Sequence, residues 1–432
     1  MNPSQALSYL DSLIQLGVKV GLDHTRVLAS ALGNPQARFP SVLIGGTNGK
    51  GSTASFLAAI LQRAGHRTGF YSSPHLVDVR ERIRIDDQLI GWDEFAEGMG
   101  RVRDAAERCT EEKSVEGFPT YFEALTLVCF DHFARNGVDV AVLEVGLGGR
   151  LDCTNVVQPA VTVVTNVGID HEEWLGQGLQ NIAREKAGTF RSGVPAFTAA
   201  KNAEVVDVLR EEASLAGAPL HLLEACRGQD VGQEWEIACE DRRILLPRPS
   251  LPGSHQYENA ALAVHCAWAM RERGFSVPDG ALRSGICENR WPGRLERVAV
   301  DPEVYLDGAH NPDGCEALAR FVGGLPPGPR ALVFAAMKDK PMEAMARLLF
   351  PKFDKVFATS VPMPRCQSAV EIAERSACSN VIAVPDAAQA LEKASACVGR
   401  HGHVVVAGSL YLVGYVKALR ESGRLTSWGS GL

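Results

Sequence analysis

The sequence predicts an α/β fold with two domains, because segments typical of strands and helices alternate along most of the chain. Its 432 residues are more than a single hydrophobic core usually serves. The apolar runs at 138–145 and 161–167 have the continuous hydrophobicity of strands that are buried in a parallel sheet. A second series of strand-like segments starts near residue 304 and recurs about every 20–27 residues, the length of a strand plus a crossover helix.

The elements of the first predicted domain can be followed in chain order. Residues 1–30 carry apolar side chains at helical spacing, and further helices are expected at 54–63, 122–130, 178–187 and 259–273. Strands are expected at 42–44, 138–145 and 161–167. The alternation is lost over 195–250, where short polar strands at 235–239 and 243–246 indicate an antiparallel insert.

The second predicted domain follows a bridge that contains proline and glycine, at residues 289–296. Its strands are expected at 304–306, 331–334, 356–358, 381–384 and 404–407. We therefore predict a larger domain over residues 1–292, with a mostly parallel sheet, and a smaller Rossmann-like α/β domain over residues 293–432.

Composition excludes several classes of protein. A net charge of −7 and a pI near 5.9 argue against general nucleic-acid binding. Neither a secretory signal nor a long apolar run is present, so we expect a cytoplasmic protein without a membrane partner. The eleven cysteines form no C-x-x-C pair, which is typical of reduced thiols. A monomer is the default expectation.

A glycine-rich loop at residues 45–53 is the most informative motif. It directly follows the apolar run 42–44, and backbone N–H groups in such a turn can bind phosphate. Lys50 can reach the outer phosphates, and the Ser52 hydroxyl can hold Mg²⁺. The strict G-x-x-x-x-G-K-[ST] pattern is not met, because Ile44 stands at its first position and Gly51 separates Lys50 from Ser52. The loop predicts that the larger domain is a P-loop-type ATPase domain.

Polar residues follow two neighbouring predicted strands. Glu144 lies near the carboxyl end of its strand, where ligands bind in open α/β sheets, and can hold Mg²⁺ directly or through water. The alternative is a structural ion pair with an arginine such as Arg150. His171 follows the next strand, and we favour a metal-linked role over a purely structural one.

Three further positions are ambiguous from the residues alone. Lys186 reads as an exposed helical lysine. Asp307 and His310 follow the first strand of the second domain, in a segment that is also adequate as a structural turn. Arg294, in the bridge, could clamp phosphate or be an exposed linker residue.

Taken together, the motifs resemble those of folylpolyglutamate synthase, including the bifunctional bacterial type that is also a dihydrofolate synthase, in the Mur ligase superfamily of ATP-dependent amide ligases. The match covers about residues 20–320 in the right order, and the altered phosphate loop is the family's own variant. The matching segments are residues 46–52, 72–76, 144–155, 165–171, 184–188, 292–294 and 306–312.

The resemblance implies a role for each matching position. Lys50, Lys186, His171, Asp307 and His310 would be catalytic, with Lys186 carbamylated so that a carboxylate instead of an ammonium faces Mg²⁺. ATP would be bound by Asn48, Gly49, Lys50, Gly51, Ser52, Thr53, Asn259, Arg294 and Asp307. Two Mg²⁺ sites would use Ser52, Ser73, Glu144 and His171, with K⁺ as an optional further cation. Pterin or folate would contact Thr120, Tyr121, Phe122, Glu123, Leu151, Asp152 and Cys153, with a contribution from the N-terminal segment near Gly21.

The activity that the resemblance implies is ATP-dependent addition of L-glutamate to dihydropteroate and to folates, through an acyl phosphate. Closure of the second domain would bring Asp307 and His310 over the nucleotide and exclude water.

A monofunctional folylpolyglutamate synthase is the close alternative. A regulatory nucleotide-binding protein is disfavoured by the set Glu144, His171, Lys186 and Asp307. A ligase for cell-wall precursors is disfavoured because only about 40 residues precede the phosphate loop, too few for another domain.

Overall fold

The structure, a computed structural model, describes residues 1–17, 21–223, 230–231, 234–239 and 242–425. Within these residues the chain divides into two compact units. The first unit comprises Met1–Pro74, Arg80–Ser250 and Tyr257–Asn289, and the second comprises His75–Val79, Leu251–Gln256 and Arg290–Leu432. Residues 18–20 of the predicted N-terminal helical segment, and residues 224–229, 232–233 and 240–241 of the predicted insert, lie outside the described residues.

The secondary structure of residues 1–289 alternates as the sequence predicts. Its strands are β1 (Ser41–Gly45), β2 (Thr68–Tyr71), β3 (Ile83–Ile85), β4 (Gln88–Leu89), β5 (Val140–Glu144), β6 (Pro159–Val164), β7 (Ala196–Thr198), β8 (Leu220–Leu222), β9 (Asp230–Val231), β10 (Glu234–Cys239) and β11 (Arg242–Pro247). Its helices are α1 (Pro3–Ser12), α2 (Asp23–Ala31), α3 (Lys50–Arg63), α4 (Trp92–Glu111), α5 (Tyr121–Arg135), α6 (Glu172–Leu175), α7 (Gly178–Ala187), α8 (Ala203–Ala216), α9 (His255–Glu272) and α10 (Asp279–Cys287).

The main sheet of the first unit has the order β4-β3-β2-β5-β1-β6-β7-β8 among the described residues. All its neighbouring strands pair in parallel except β2–β3 and β3–β4. The central strand β1 pairs with β5 on one side, Ile44 opposite Glu144, and with β6 on the other, Gly45 opposite Val164. The segments that follow β1, β5 and β6 therefore start at the same edge of the sheet.

Helix α3 places the phosphate loop against this sheet. Most of its residues are buried, including Phe56, Leu57 and Ile60. Helix α10 packs closely on it, because a Cβ on Gly285 would lie only 2.7 Å from the Ile60 Cα. Glycine at 285 thus permits the close approach that covers the outer face of α3.

The sequence misplaces the end of the alternating region. It predicts that alternation stops at residue 195, but β7, α8 and β8 continue it to residue 222 and extend the main sheet. The prediction is wrong there because β7 and β8 are only three residues long, and β8 is partly exposed at the sheet edge. The predicted antiparallel insert is confirmed as β9, β10 and β11, with β10 in the middle.

The second unit contains another mostly parallel sheet. Its strands are β12 (Glu296–Val300), β13 (Glu303–Leu306), β14 (Arg330–Phe334), β15 (Lys355–Ala358), β16 (Val381–Ala383) and β17 (His403–Ala407), in the order β12-β13-β17-β14-β15-β16. Its helices are α11 (Pro312–Gly323), α12 (Met342–Leu349), α13 (Ala369–Arg375), α14 (Ala387–Val398) and α15 (Leu410–Glu421).

Only the edge strand β12 of the second sheet was not predicted, and it is antiparallel to β13. Apolar clusters lie on both faces of this sheet, one containing Val404 and Val406 and the other Val405 and Ala407. The two α/β units with mostly parallel sheets confirm the predicted fold class. Among the described residues, no helix is both long enough and apolar enough to cross a membrane.

Candidate active site

The loop between β1 and α3 requires glycine at two positions. Gly46 has φ +135°, and a Cβ there would overlap the Thr165 hydroxyl oxygen. Gly49 has φ +84°, and a Cβ there would overlap the Asn259 side-chain oxygen. Only glycine fits both the conformation and the space. The loop is therefore closely packed between the segment after β6 and helix α9, and the backbone at the α3 N-terminus is well placed to bind an anion.

Two lysines converge on the backbone of this loop. Lys50 Nζ donates to the carbonyl oxygens of Gly46 and Thr47, at 3.0 Å each. Lys186 Nζ, from α7, donates to the same Gly46 oxygen at 2.9 Å. Lys186 is 4% exposed, so the reading of Lys186 as an exposed helical lysine is wrong. That reading failed because α7 turns its Lys186 side inward against the loop, which a single helix pattern does not reveal.

Burial changes the acid–base behaviour of Lys186. Removal from water and the nearby Lys50 cation together lower the pKa of its amine from 10.5 to about 7, and removal from water is the larger cause. A substantial fraction of the Lys186 side chain is therefore neutral near pH 7. A neutral amine is the nucleophilic form of lysine.

A second segment braces the loop from the side of β6. The Thr47 N–H donates to the Asn166 carbonyl at 2.9 Å, and the Asn48 N–H donates to the Asn166 side-chain oxygen at 2.8 Å. The Thr165 hydroxyl donates to the Asn48 carbonyl at 2.7 Å. The Thr47 hydroxyl contacts both backbone groups of Gly168. The phosphate loop and residues 165–168 thus form one hydrogen-bonded assembly.

Glu144 lies at the end of β5 and is 5% exposed. Its carboxylate accepts a hydrogen bond from the Ser73 N–H at 3.2 Å, which joins two predicted metal-site positions. The structural alternative for Glu144 was a pair with Arg150. Arg150 instead forms ion pairs with Glu185 at 3.4 Å and Glu212 at 3.0 Å.

His171 follows β6 and immediately precedes α6. Its backbone is in the left-handed region, with φ 55°, and its Nε2 lies 3.7 Å from Asp170 Oδ1. Ser52 is buried in the first turn of α3. In the part of the chain that the structure describes, no three His, Cys, Asp or Glu residues are grouped as a metal-binding cluster.

The donors near the loop nonetheless suit Mg²⁺. This ion is usually bound through one or two carboxylates, with water and substrate phosphates completing its shell. The buried carboxylate of Glu144 and the hydroxyl of Ser52 flank the phosphate loop in the sheet topology. The site offers only a few protein oxygens, and it lies beside a loop that can bind phosphate. This arrangement suits a magnesium ion that completes its shell with phosphate and water.

The predicted pterin positions at the start of α5 form a buried polar network. Thr120 and Glu123 cap the helix reciprocally, with the Thr120 N–H donating to Glu123 Oε2 at 2.8 Å. His24 Nδ1 lies 2.9 Å from Glu123 Oε1, and the Thr25 hydroxyl donates to the same oxygen at 3.0 Å. Burial opposes the charge of Glu123, but the hydrogen bonds from His24 and Thr120 prevail and lower its pKa. Glu123 therefore anchors α2 to the start of α5.

The other predicted pterin positions surround the loop after β5. The Phe122 ring lies against Gly146, where a Cβ would come within 2.5 Å of it. The Arg82 guanidinium lies 5.6 Å from the centre of the Tyr121 ring. Asp152 accepts the Leu147 N–H at 2.8 Å, and burial raises the pKa of Asp152.

Leu151 and Cys153 flank Asp152 and differ in environment. The Leu151 side chain is 40% exposed. Burial raises the pKa of the Cys153 thiol well above its usual value, and Thr25 hydrogen-bonds to it. The short 3₁₀ segment Cys153–Val156 thus also lies close to α2.

The predicted positions in the second unit cluster at the end of β13. Asp307 accepts the Leu295 N–H and the Ala309 N–H, both at 2.9 Å. Burial raises the pKa of Asp307, whereas the Arg294 cation acts to lower it. His310 Nδ1 lies 2.7 Å from the Gly308 carbonyl oxygen, and Arg294 Nη1 donates to the Gly293 carbonyl at 3.0 Å.

Sequence reasoning missed several residues that organise the first unit's site. His24 and Thr25 contact Glu123 across about a hundred positions of sequence, and no local pattern signals such a contact. Thr47 and Asn166 brace the phosphate loop. Thr47 and Asn166 lie inside the segments 46–52 and 165–171, and the resemblance of these segments to the family motifs is the signal in the sequence that points to them.

Two known domain families match successive parts of the chain. The Mur ligase middle domain matches residues 44–267, and the Mur ligase glutamate ligase domain matches residues 293–410. The Bacillus subtilis dihydrofolate synthase/folylpolyglutamate synthase is 35% identical over 421 residues, which are 95% of this chain and 97% of that protein.

Solved structures are similar over nearly the whole chain. Escherichia coli FolC in complex with DHPP and ADP superposes with a TM-score of 0.88 at 32% identity, covering 98% of this chain and 99% of the other. A bifunctional folylpolyglutamate synthase/dihydrofolate synthase with Mn, AMPPNP and L-glutamate bound gives a TM-score of 0.84 at 31% identity, covering 96% and 98%. These matches agree with the phosphate loop and the two α/β units, and the chain belongs to the folylpolyglutamate synthase/dihydrofolate synthase family of the Mur ligase superfamily.

Proposed function

We propose that the chain joins L-glutamate to dihydropteroate, and to folates as polyglutamate, at the expense of ATP. The observation that carries this proposal is the convergence of Lys50 and Lys186 on the Gly46 carbonyl, beside the buried Glu144 at the same sheet edge. The Lys50 cation beside the backbone N–H groups of a glycine loop suits a polyphosphate. The similar enzymes with bound DHPP, ADP and L-glutamate supply the substrate class.

The proposed reaction has two steps. A carboxylate oxygen of the pterin substrate attacks the γ-phosphorus of ATP, forming an acyl phosphate while the bond to ADP breaks. The amine of L-glutamate then attacks the acyl carbon, loses a proton, and displaces inorganic phosphate to leave an amide. Lys50 stabilises the negative charge that spreads over the transferred phosphoryl oxygens.

Ser52, Ser73, Glu144 and His171 are the residues that we propose to hold Mg²⁺, in two sites, with K⁺ as an optional further cation. The ion would supply charge neutralisation for the phosphate oxygens. The protein's own part is to orient these side chains. The hydrogen bond from the Ser73 N–H orients the Glu144 carboxylate, and the left-handed turn at His171 orients the His171 side chain.

Lys186 is proposed to react with CO₂. Its neutral amine adds to the carbon of CO₂ and releases one proton, which converts the neutral side chain into a carbamate anion. Burial and the nearby Lys50 cation favour this reaction because they lower the pKa of the amine to about 7 and so supply the neutral form. The product would remove the repulsion between Lys186 and Lys50.

The remaining proposed roles follow the two units. Residues 1–292 would bind ATP and pterin as one domain, and residues 293–432 would form the glutamate-ligase domain. ATP would contact Asn48, Gly49, Gly51, Thr53 and Asn259 in the first unit, and Arg294 and Asp307 in the second, where His310 would also act. The pterin would contact Thr120, Tyr121, Phe122, Glu123, Leu151, Asp152 and Cys153, and Glu123 would also anchor α2.

The proposal is tested by incubating the purified chain with dihydropteroate, ATP, Mg²⁺ and L-glutamate. We expect ADP, phosphate and dihydrofolate in equal amounts. Omission of glutamate should abolish the amide product. Absence of pterin-dependent ADP release would contradict the dihydrofolate synthase activity, and the same assay with tetrahydrofolate would then identify a monofunctional folylpolyglutamate synthase. Absence of both activities would overturn the proposed function.

A further inference from the structure

We propose that Thr47 is a positioning residue that aligns the phosphate loop with the segment carrying His171. This inference rests on the proposed function, because it assumes that His171 contributes to the metal site. The Thr47 side chain faces the chain that follows β6, where its hydroxyl contacts Gly168. Its effect on chemistry would therefore pass through His171.

The Thr47 side chain joins two loops with a single hydroxyl. It donates to the Gly168 carbonyl oxygen at 3.2 Å and accepts the Gly168 N–H at 3.0 Å. Thr47 is 8% exposed, and Gly168 is also buried. Both backbone groups of Gly168 are therefore satisfied by one side chain in a place that water reaches poorly.

Gly168 is close to His171 along the chain. Only Ile169 and Asp170 separate them, so a shift of Gly168 passes to His171 through very few rotatable bonds. On its other side His171 is fixed by α6, because the N–H groups of Trp174 and Leu175 both donate to its carbonyl oxygen at 3.0 Å. The hydroxyl of Thr47 and helix α6 thus hold the two sides of the His171 turn.

The left-handed backbone of His171 makes this support necessary. A non-glycine residue with φ 55° adopts a sparsely populated conformation and depends on its surroundings to keep it. Loss of the Gly168 contacts removes one restraint on this turn. Residues that support a metal ligand in this way commonly change metal affinity by about 10–100-fold when they are altered.

Threonine offers a closely matched set of variants. Thr47→Val keeps the shape but removes both hydrogen bonds, and Thr47→Ser keeps the hydroxyl. Thr162→Val, on β6, makes the same chemical change at a fully buried hydroxyl for which the described residues provide no hydrogen-bond partner. It therefore controls for the general effect of replacing a buried threonine in this sheet.

The test measures Mn²⁺ binding by electron paramagnetic resonance in the presence of saturating ADP, together with the affinity for ADP without metal. We expect Thr47→Val to weaken Mn²⁺ binding by about 10–100-fold. Its metal-free ADP affinity should stay at the wild-type value, because the loop's backbone donors remain. Thr47→Ser and Thr162→Val should bind Mn²⁺ like the wild type. If Thr47→Val does not fold, Thr47→Ala provides the same comparison.

Two results would overturn the inference. One is wild-type Mn²⁺ binding by Thr47→Val or Thr47→Ala, and the other is loss of metal-free ADP affinity in parallel with Mn²⁺ affinity, which would indicate collapse of the loop. A wild-type chain that binds no Mn²⁺ with ADP contradicts it as well. Failure of the proposed function is distinguishable, because a chain without ligase activity can still show the selective loss of Mn²⁺ binding in Thr47→Val.

Discussion

The two α/β units place opposite charges in similar surroundings. At the strand ends of the first sheet, the amino groups of Lys50 and Lys186 meet at one carbonyl oxygen. At the end of β13 in the second sheet, the Asp307 carboxylate accepts two backbone N–H groups and lies near the Arg294 cation. When both lysines are charged and no anion is bound, their ammonium groups repel each other. The charge of Asp307, in contrast, is balanced by N–H groups and a cation of its own unit.

This difference indicates where each unit depends on a ligand. Burial and Lys50 together lower the pKa of Lys186, which means that the folded first unit disfavours two charged lysines side by side. Phosphate or a carbamate would relieve that repulsion. Asp307, by contrast, is positioned by the protein alone. We therefore expect a charge change at Lys50 to affect catalysis strongly, and a change at Asp307 to lower stability in addition to its effect on ATP binding.

The largest expected effect is that of Lys50→Met. Removing the charge that we propose to stabilise the transferred phosphoryl group should lower kcat by about 10²–10³-fold. Lys393→Met, which removes an exposed lysine from α14 in the second unit, should leave kcat unchanged. Both values come from pterin- and glutamate-dependent ADP release. A Lys50→Met enzyme with near wild-type kcat would remove the charge argument for the first unit.

Gly49→Ala should have the next largest effect. Its Cβ would meet the Asn259 side chain, so the loop would have to move, and we expect ADP affinity to fall by about 10-fold or more, equivalent to roughly 1.4 kcal/mol. Gly65→Ala is the matched control, because Gly65 has a similar φ of +90° with no atom within 4 Å of the new Cβ. Calorimetric titration of both variants with ADP checks this. Equal losses of ADP affinity in the two variants would mean that packing against Asn259 is not the cause of the loss.

A smaller effect is expected for Asp307→Asn. An amide offers one acceptor oxygen where the carboxylate offers two, so one buried N–H loses its partner at a cost of about 1–3 kcal/mol in the free energy of unfolding. Asp386→Asn is the control, since Asp386 accepts only the Gln389 N–H as a helix cap and asparagine caps equally well. Denaturant titration compares the two variants. Equal stability of both would contradict the balanced arrangement at Asp307.

The most gradual effect is the pH dependence contributed by Lys186. Its pKa is about 7 in the folded chain and 10.5 in the unfolded chain, so between these values the unfolded chain binds more protons. The free energy of unfolding should therefore rise with pH over this window, while below about pH 7 the cost of burying the charge is fully present. Lys186→Met should lack this contribution. Denaturant titrations of the wild type and Lys186→Met in CO₂-free buffer, from pH 6 to about pH 9, measure this contribution. If the free energy of unfolding changes with pH in the same way for both proteins, the prediction is wrong.

Much of this arrangement could be predicted from sequence, and the exceptions have physical reasons. The buried strands β1, β5 and β6 have clear hydrophobic patterns. The polar residues Lys50, Glu144 and His171 lie at or after the ends of these strands, so their placement at one edge of the sheet could be predicted from the order of the segments along the chain. Strands β7 and β8 are too short to show a pattern. The burial of Lys186 depends on how α7 packs against a loop 140 positions away, which no local pattern encodes. The same holds for the contacts of His24 with Glu123.

Isotope transfer tests the central claim, activation of a pterin carboxylate by ATP, most directly. Dihydropteroate labelled with ¹⁸O in its carboxylate is converted with unlabelled ATP and L-glutamate, and the inorganic phosphate is analysed by mass spectrometry. Attack of the carboxylate on the γ-phosphorus predicts that each phosphate released carries one ¹⁸O atom from the substrate. Unlabelled phosphate, formed while dihydrofolate accumulates, would contradict the acyl-phosphate route and with it the role assigned to Lys50.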